Sequence, residues 1–152
     1  MNLIKKIFIA LLWLPFLTGC SNEDDIQEIF ANKKWKVVYT AYTSNWDDPN
    51  DFVRQETYMD DIKDMNAYVV YFGTDVITIT GKTAVWKGTW IANGKDRTIQ
   101  INIQQKNNDG TTPSEKEFMN RVANARYYKG DANILKLFLA DKQNYVQFRA
   151  IN

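Results

Sequence analysis

The chain is 152 residues long and contains one cysteine and no histidine. The absence of histidine excludes Ser-His-Asp and Cys-His catalytic arrangements and any imidazole metal site. Charge is nearly balanced, with 19 basic and 18 acidic residues, whereas a nucleic-acid-binding protein carries a basic face or stripe. Catalysis by paired carboxylates or by a lysine needs no histidine, but the sequence shows no carboxylate pair on an apolar strand face. We therefore expect a non-catalytic protein that does not bind nucleic acid.

Residues 1–19 have the features of a lipoprotein signal peptide. Lys5 and Lys6 form a positive N-terminal region, and residues 7–17 are an almost unbroken apolar run. That run is about half the roughly 20 residues that a helix needs to cross a bilayer. Thr18 and Gly19 are small residues of the kind that a signal peptidase requires before its cleavage site.

Cys20 follows that segment directly. Leu17-Thr18-Gly19-Cys20 resembles the lipobox of bacterial lipoproteins, and the resemblance implies that the Cys20 thiol is acylated and the chain cleaved just before it. Each buried methylene contributes about 0.8 kcal/mol, so two or three acyl chains anchor a protein stably. The expected partner is therefore a membrane, bound through this lipid. The alternatives are an ordinary signal peptide with an incidental cysteine, or a short buried segment.

Residues 20–32 are predicted to form an acidic tether. Acids a few positions after the lipidated cysteine resemble the export signal by which Bacteroidetes lipoproteins reach the outer face of the outer membrane. The resemblance implies an outer-membrane protein exposed at the cell surface. A solvated, flexible linker has the same polar composition, and a periplasm-facing position is the alternative. The residues of the expected export signal are Ser21, Asn22, Glu23, Asp24 and Asp25.

Residues 33–152 have the length of a single domain. Once residues 1–19 are removed, 17 basic and 18 acidic residues remain, a net charge of −1. A chain of this size buries about two thirds of its unfolded surface in one core without disulfides, and no cysteine follows Cys20.

This body consists mostly of short segments with strand-like alternation. The first strand places Trp35, Val37, Tyr39 and Ala41 on one face. Asn93-Gly94 is the strongest hairpin sequence and predicts a type I′ turn, because both central positions of that turn need positive φ. The further predicted strands are 67–72, 76–80, 83–92 and 97–104, and those centred on Leu137 and Phe148, with breaks at Gly73-Thr74-Asp75, Gly81-Lys82 and Asp141–Asn144.

One helix is well marked. Thr112-Pro113-Ser114-Glu115 has the spacing of a capping box with proline at the first helical position. Phe118, Met119, Val122 and Ala125 then recur at helical spacing, and Gly130 is expected to close the segment. A weaker helix is predicted over Pro49–Met65, with Asp48 as its cap and Phe52, Met59 and Ile62 facing inward.

Seven short strands and one clear helix indicate a mostly β fold with one or two helices. We expect a small antiparallel β-barrel or a strongly curved meander sheet, with the helix before the last two strands. The order of motifs over residues 33–151 resembles the META domain and the small lipocalin-like lipoproteins of Bacteroidetes. These motifs are Trp35-Lys36-Val37, Tyr71-Phe72, Lys87-Gly88-Thr89-Trp90, Phe118–Tyr128, Lys129-Gly130-Asp131, Ile134-Leu135-Lys136-Leu137 and Val146-Gln147-Phe148.

The chain departs from both families. It lacks the Cys-Asn pair of META domains, and Lys33 stands two residues before Trp35, where lipocalins have glycine. The resemblance therefore implies a fold of unknown function, with no catalytic residue and no cofactor to carry over.

Two groups of residues are candidates for a site. Acids are dense between Asp47 and Asp64, but they lack the alternating pattern and central glycine of a calcium-binding EF-hand, so a solvated acidic surface is expected and no metal. Trp46 lies in a polar stretch, SNWDDPND, with no apolar neighbour in sequence. We expect Trp46, exposed beside Asp47 and Asp48, to contact a ligand or a partner, because aromatic side chains suit sugar faces and protein interfaces.

Two functions remain open for the lipid-anchored protein. It is either an interaction or accessory module that docks another envelope protein, or a lipocalin-like binder of a small hydrophobic ligand or glycan. A ligand binder needs a hollow barrel of roughly 300 Å³ or more, whereas an interaction module has a filled core. The bulky strand residues favour the filled core, and with it the interaction module.

Overall fold

Nine strands form one antiparallel sheet within the residues that the computed structural model describes, which are 22–55, 62–106 and 111–152. The sheet order is β2-β1-β3-β4-β5-β6-β7-β8-β9, and β9 also pairs with β1, from Lys34↔Ile151 to Tyr42↔Asn144, so the sheet closes into a ring. The predicted mostly β barrel is therefore confirmed. The strands are β1 Lys33–Tyr42, β2 Val53–Gln55, β3 Val69–Phe72, β4 Val76–Thr80, β5 Val85–Asn93, β6 Thr98–Lys106, β7 Tyr127–Gly130, β8 Ile134–Phe138 and β9 Asn144–Ile151.

Two helices close the ring at opposite ends. Because neighbouring strands are antiparallel, the β3–β4, β5–β6 and β7–β8 turns lie at one end, here called the α1 end. Helix α1 (Asn22–Phe30) covers it, and the Phe30 ring centroid lies 4.9 Å from those of Phe72 and Tyr128. Helix α2 (Pro113–Ala123) covers the opposite α2 end. No helix in the described part of the chain is long and apolar enough to span a membrane.

The predicted helix α2 is confirmed, together with its cap. The Thr112 side chain accepts a hydrogen bond from Glu115 N, and the Glu115 side chain accepts one from Thr112 N. Phe118 packs inward, with its ring centroid 5.4 Å from that of Tyr68 and 6.4 Å from that of Phe148.

Large side chains fill the space inside the ring. Trp35 and Trp86 are 0 and 1 % exposed, which agrees with the filled core that the bulky strand residues predicted. Trp90 is only partly buried, but its ring packs against Phe30 and its Nε1 donates a hydrogen bond of 3.1 Å to Gly73 O. The barrel thus has a packed core of the kind found in small closed barrels.

The structure differs from the prediction at both ends of β1. Residues 22–30, expected to be part of a tether, form α1, because Ile26, Ile29 and Phe30 recur at helical spacing and pack on the core. The helix predicted over Pro49–Met65 is wrong at Val53–Gln55, which pair with β1 as strand β2. Residues 56–61 of that predicted helix lie outside the described residues.

Two further predictions fail in detail. Helix α2 ends at Ala123, and Tyr127–Gly130 form strand β7 instead of continuing to a helix stop at Gly130, so α2 precedes three strands. The turn after Asn93 is longer than a type I′ turn: Asn93 pairs with Thr98, and the positive φ of 53° falls on Arg97.

Candidate functional site

The loop between β1 and β2, residues 43–52, contains the three predicted contact residues. The carboxylate of Asp51 organises this loop, since its Oδ2 accepts hydrogen bonds from Ser44 Oγ (2.7 Å), Asn45 N (2.7 Å) and Thr43 Oγ1 (3.1 Å). The bond from the Ser44 hydroxyl is the main cause of a lowered pKa of the Asp51 carboxyl. The loop therefore has a defined shape with a charged carboxylate at its centre.

Trp46 connects this loop to the outer wall of the barrel. It is partly buried, not fully exposed as its polar sequence neighbours led us to expect. Its ring centroid lies 4.4 Å from that of Phe138 and 5.8 Å from that of Tyr127, both in edge-on geometry. These contacts come from β8 and β7, more than 80 residues further along the chain.

Two lysines flank the Trp46 ring. Lys129 donates a hydrogen bond to Trp46 O, and its Nζ lies 4.3 Å from the ring centroid. Lys142 Nζ lies 5.3 Å from the same centroid and 4.5 Å from that of Tyr127. Burial lowers the pKa of Lys129, with a raising contribution from Asp47. Cation–π attraction thus stabilises the loop on the wall.

The floor beneath Trp46 is a second apolar cluster, formed by buried Tyr39, Ala41, Phe138 and Tyr145. It lies on the outer face of the barrel, because Phe138 and Tyr145 form a register pair beside the inward-facing Leu137 and Val146. The prediction that Tyr39 and Ala41 share a face with Trp35 and Val37 is wrong, because the register of β1 shifts between Val37 and Tyr39 and the two pairs belong to different clusters. The available sign of this outer cluster was that β9 carries aromatic residues at both odd and even positions, Tyr145 and Phe148.

The Tyr145 hydroxyl is buried and has no hydrogen-bond partner among the described residues. Burial, with the neighbouring Tyr39, raises the pKa of Tyr145 to about 12. Tyr145 therefore stays neutral at physiological pH.

Between the loop and the wall lies a cleft of about 380 Å³, here called the outer-wall cleft. Asp47 and Asp48 are exposed on its loop side, and Lys129 and Lys136 line it from the barrel. Sequence reasoning missed both lysines as site residues, because the motifs that contain them support the fold and no binding role. The residues lining the cleft are Thr43, Asn45, Trp46, Asp47, Asp48, Pro49, Asp51, Lys129, Gly130, Asp131, Ile134, Lys136, Phe138 and Tyr145.

The chemistry of the cleft is that of recognition. Carboxylates on one side and ammonium groups on the other provide acceptors and donors above an aromatic floor, a combination suited to polar groups of a ligand or partner. Burial lowers the pKa of Lys136, whose Nζ lies 5.2 Å from the Tyr145 ring centroid. Among the described residues, no group of three or more Asp, Glu or Cys side chains lies close enough to hold a metal ion.

The described N-terminal site residues, Asn22–Asp25, belong to α1 and do not line the cleft. Cys20 and Ser21 lie outside the described residues. Asn22 begins α1 and Glu23 and Asp24 follow in its first turn, while Asp25 is exposed. Lipidation and surface export therefore stay predictions.

These features define a class of protein: a small antiparallel β-barrel with a filled interior, closed at both ends by helices and bearing a cleft on its outer wall. The chain belongs to the DUF4847 family, a domain of unknown function whose family model matches residues 21–150. The motifs resemble those of lipocalin-like and META-domain proteins, but the family to which the chain belongs is DUF4847.

A solved structure supports the same assignment. The crystal structure of a DUF4847 family protein from Bacteroides vulgatus is similar to this one, with a TM-score of 0.69 and 30% sequence identity. The similarity covers 82% of this chain and 96% of that chain. No curated protein matches the chain.

Proposed function

We propose that this protein is a lipid-anchored lipoprotein of the outer membrane, exposed at the cell surface, that serves as a non-catalytic interaction module. Its partner is another protein of the cell envelope, and the outer-wall cleft is the contact site. The lipobox-like Leu17-Thr18-Gly19-Cys20 supports the anchor, and the acids that follow it support surface export.

The filled barrel interior is the observation that carries the choice of function. Trp35, Trp86 and Tyr128 are each at most 1 % exposed and occupy the space that a lipocalin keeps for its ligand. Phe30 of α1 and Phe118 of α2 cover the two ends. Recognition is therefore expected on the outer surface, where the cleft offers aromatic area, carboxylates and lysines together.

The cleft also supports a second candidate function, the binding of a small polar ligand such as a glycan. Its volume of about 380 Å³ lies within the range of roughly 300–1,000 Å³ of small-molecule sites. The Trp46 ring suits packing against the face of a sugar. The carboxylates of Asp47 and Asp48 beside it suit hydrogen bonds from the sugar hydroxyl groups. Such a ligand would bind outside the barrel and not within it.

Site-specific photo-cross-linking in intact cells tests the first function. A photoreactive amino acid replaces Asp48 at the cleft or, as a matched control, the exposed Lys87 on the outer face of β5. We expect a discrete protein adduct from position 48 alone. Equal adducts from both positions, or none from position 48, would contradict the cleft as a protein-binding site.

Nuclear magnetic resonance titration tests the second function. Envelope glycans are added to the protein. Chemical-shift changes confined to Trp46, Lys129 and their neighbours would favour the glycan-binding role. Shifts at Trp35 or Trp86 instead would place the ligand inside the barrel and contradict both candidates.

A further inference from the structure

The distance between α1 and the proposed lipid anchor is short. α1 begins at Asn22, two residues after Cys20, and an extended chain spans at most about 3.6 Å per residue, or roughly 7 Å in all. α1 is also fixed to the barrel, because Ile29 is buried and its carbonyl oxygen accepts a hydrogen bond of 3.1 Å from Trp35 Nε1. An acylated Cys20 therefore holds the α1 end close to the bilayer.

Exposed aliphatic side chains form part of the rim at this same end. Val76 directly follows the β3–β4 turn and is 49% exposed. Ile134 directly follows the β7–β8 turn and is 43% exposed, but it also lines the outer-wall cleft. Ile91 lies two residues before the end of β5 and is 68% exposed. Such side chains are stabilised at the boundary between lipid headgroups and acyl chains. The other exposed large apolar residues in the described chain are Phe52, Val53 and Met65.

A groove of about 950 Å³ opens beside α1 at this rim. It lies near the junction of β6 and β7, which share the single register pair Thr98↔Tyr127. Ile26 of α1, Ile91 and Ile99 contribute its apolar lining. The α1 end thus offers apolar surface next to the point where the lipid is attached.

Charge does not favour one type of lipid at this end. The turns of the rim carry Lys95 and Arg97, but also Asp75, Asp96 and Asp131. Attraction to anionic headgroups needs an excess of basic residues, and the rim turns have none. Contact with the membrane is therefore expected to depend on the anchor and on the aliphatic side chains.

We infer that the α1 end of the barrel rests on the bilayer that holds the Cys20 lipid, with Val76 and Ile91 at the headgroup boundary and α2 directed away from the membrane. This inference rests on the proposed lipid anchor.

Fluorescence quenching on reconstituted vesicles tests this orientation. The lipidated protein is incorporated into phosphatidylcholine vesicles that carry a nitroxide on the headgroup. A fluorophore is attached to one introduced cysteine, from Thr74→Cys or Lys95→Cys at the α1 end, or from Lys116→Cys or Asn120→Cys on the exposed face of α2. The Cys20 thiol is occupied by lipid and does not react.

We expect quenching of the labels at 74 and 95, and none of the labels at 116 and 120, at both low and high salt. Equal quenching at the two ends, or stronger quenching at α2, would overturn the orientation. Flotation of the same vesicles separates the two proposals: protein that fails to float contradicts the lipid anchor itself, whereas floating protein with uniform quenching contradicts only the orientation.

A pair of variants isolates the aliphatic contribution. Ile91→Ser with Val76→Ser is expected to reduce quenching of the label at Lys95. Val53→Ser, which changes an equally exposed side chain of β2 (67%), is expected to leave it unchanged. Identical quenching in both variants would show that the rim does not contact lipid.

Discussion

Glu115, in the first turn of α2, accepts a hydrogen bond of 2.9 Å from Thr83 Oγ1 in the β4–β5 turn. Its other carboxylate oxygen accepts bonds from the backbone N–H groups of Thr83 and Ala84. Glu115 is fully buried, and thus joins the helix cap to a turn of the barrel 32 residues earlier.

Replacement of Glu115 is therefore expected to destabilise the protein. Glu115→Ala removes the carboxylate that accepts hydrogen bonds from Thr83 and from the backbone N–H of buried Ala84, at a cost of roughly 2–4 kcal/mol in the free energy of unfolding. Urea denaturation measures it. Glu117→Ala, which removes only a surface ion pair with Arg121, is the control and is expected to cost less than about 0.5 kcal/mol. Equal losses in the two variants would contradict the role of Glu115.

The same carboxylate makes stability depend on pH. Although burial raises the pKa of Glu115, the hydrogen bonds from Thr112, Thr83 and Ala84 outweigh it and lower the pKa to about 2 from an ordinary value of 4.5. Its stabilising contribution is then complete above pH 4.5 and declines as pH falls from 4.5 towards 2. Glu115→Gln is expected to show a shallower decline over this window when unfolding free energy is measured against pH. A decline of unchanged slope would show that Glu115 is not its source.

Gly88 is expected to tolerate no side chain. It lies at the bulge between Lys87 and Gly88, and a Cβ there would stand 2.0 Å from Asn102 O on the neighbouring strand. Since that atom is backbone, Gly88→Ala must displace β6, and a loss of roughly 1–3 kcal/mol is expected. Gly73→Ala is the control, because its Cβ meets mainly the exposed Val76 side chain, which can rotate. A smaller loss for Gly88→Ala than for Gly73→Ala would contradict this packing.

The partly buried Trp46 predicts an intermediate loss of stability. Trp46→Ala removes the ring contacts with Phe138 and Tyr127, and a cost of roughly 1–3 kcal/mol is expected, below that of a fully buried tryptophan. Trp46→Phe retains part of these contacts and should lose less. Thermal unfolding measures both. An unchanged midpoint for Trp46→Ala would show that the loop is not held by this ring.

Local sequence patterns predicted most of the barrel, because the elements concerned depend on neighbouring residues. Thr112 and Glu115 form their cap within one turn of α2, and Ile99 and Ile101 alternate within one strand. The outer-wall cleft depends instead on contacts between distant segments. Trp46 meets Phe138 only once β1 and β8 have taken their places in the ring, and β2 and β7 are too short to show a period.

The lipid anchor predicts that Cys20→Ser releases the protein from membranes. A serine hydroxyl does not replace the acylated thiol, and without acyl chains no other membrane anchor is proposed. Fractionation of cells into soluble and envelope fractions measures the change, and Ser21→Ala, which keeps the thiol, is expected to remain in the envelope. Retention of Cys20→Ser with envelope lipid would contradict the anchor.

Surface export predicts a separate effect for the acids after Cys20. The triple variant Glu23→Ala, Asp24→Ala and Asp25→Ala keeps the thiol, and alanine favours helix formation, so α1 and the membrane attachment are expected to persist. Because the expected export signal is removed, the protein should become resistant to protease added to intact cells. Glu28→Ala changes an exposed acid later in the same helix and is expected to leave protease accessibility unchanged. Equal digestion of the triple variant and the unaltered protein would contradict the export signal while leaving the anchor intact.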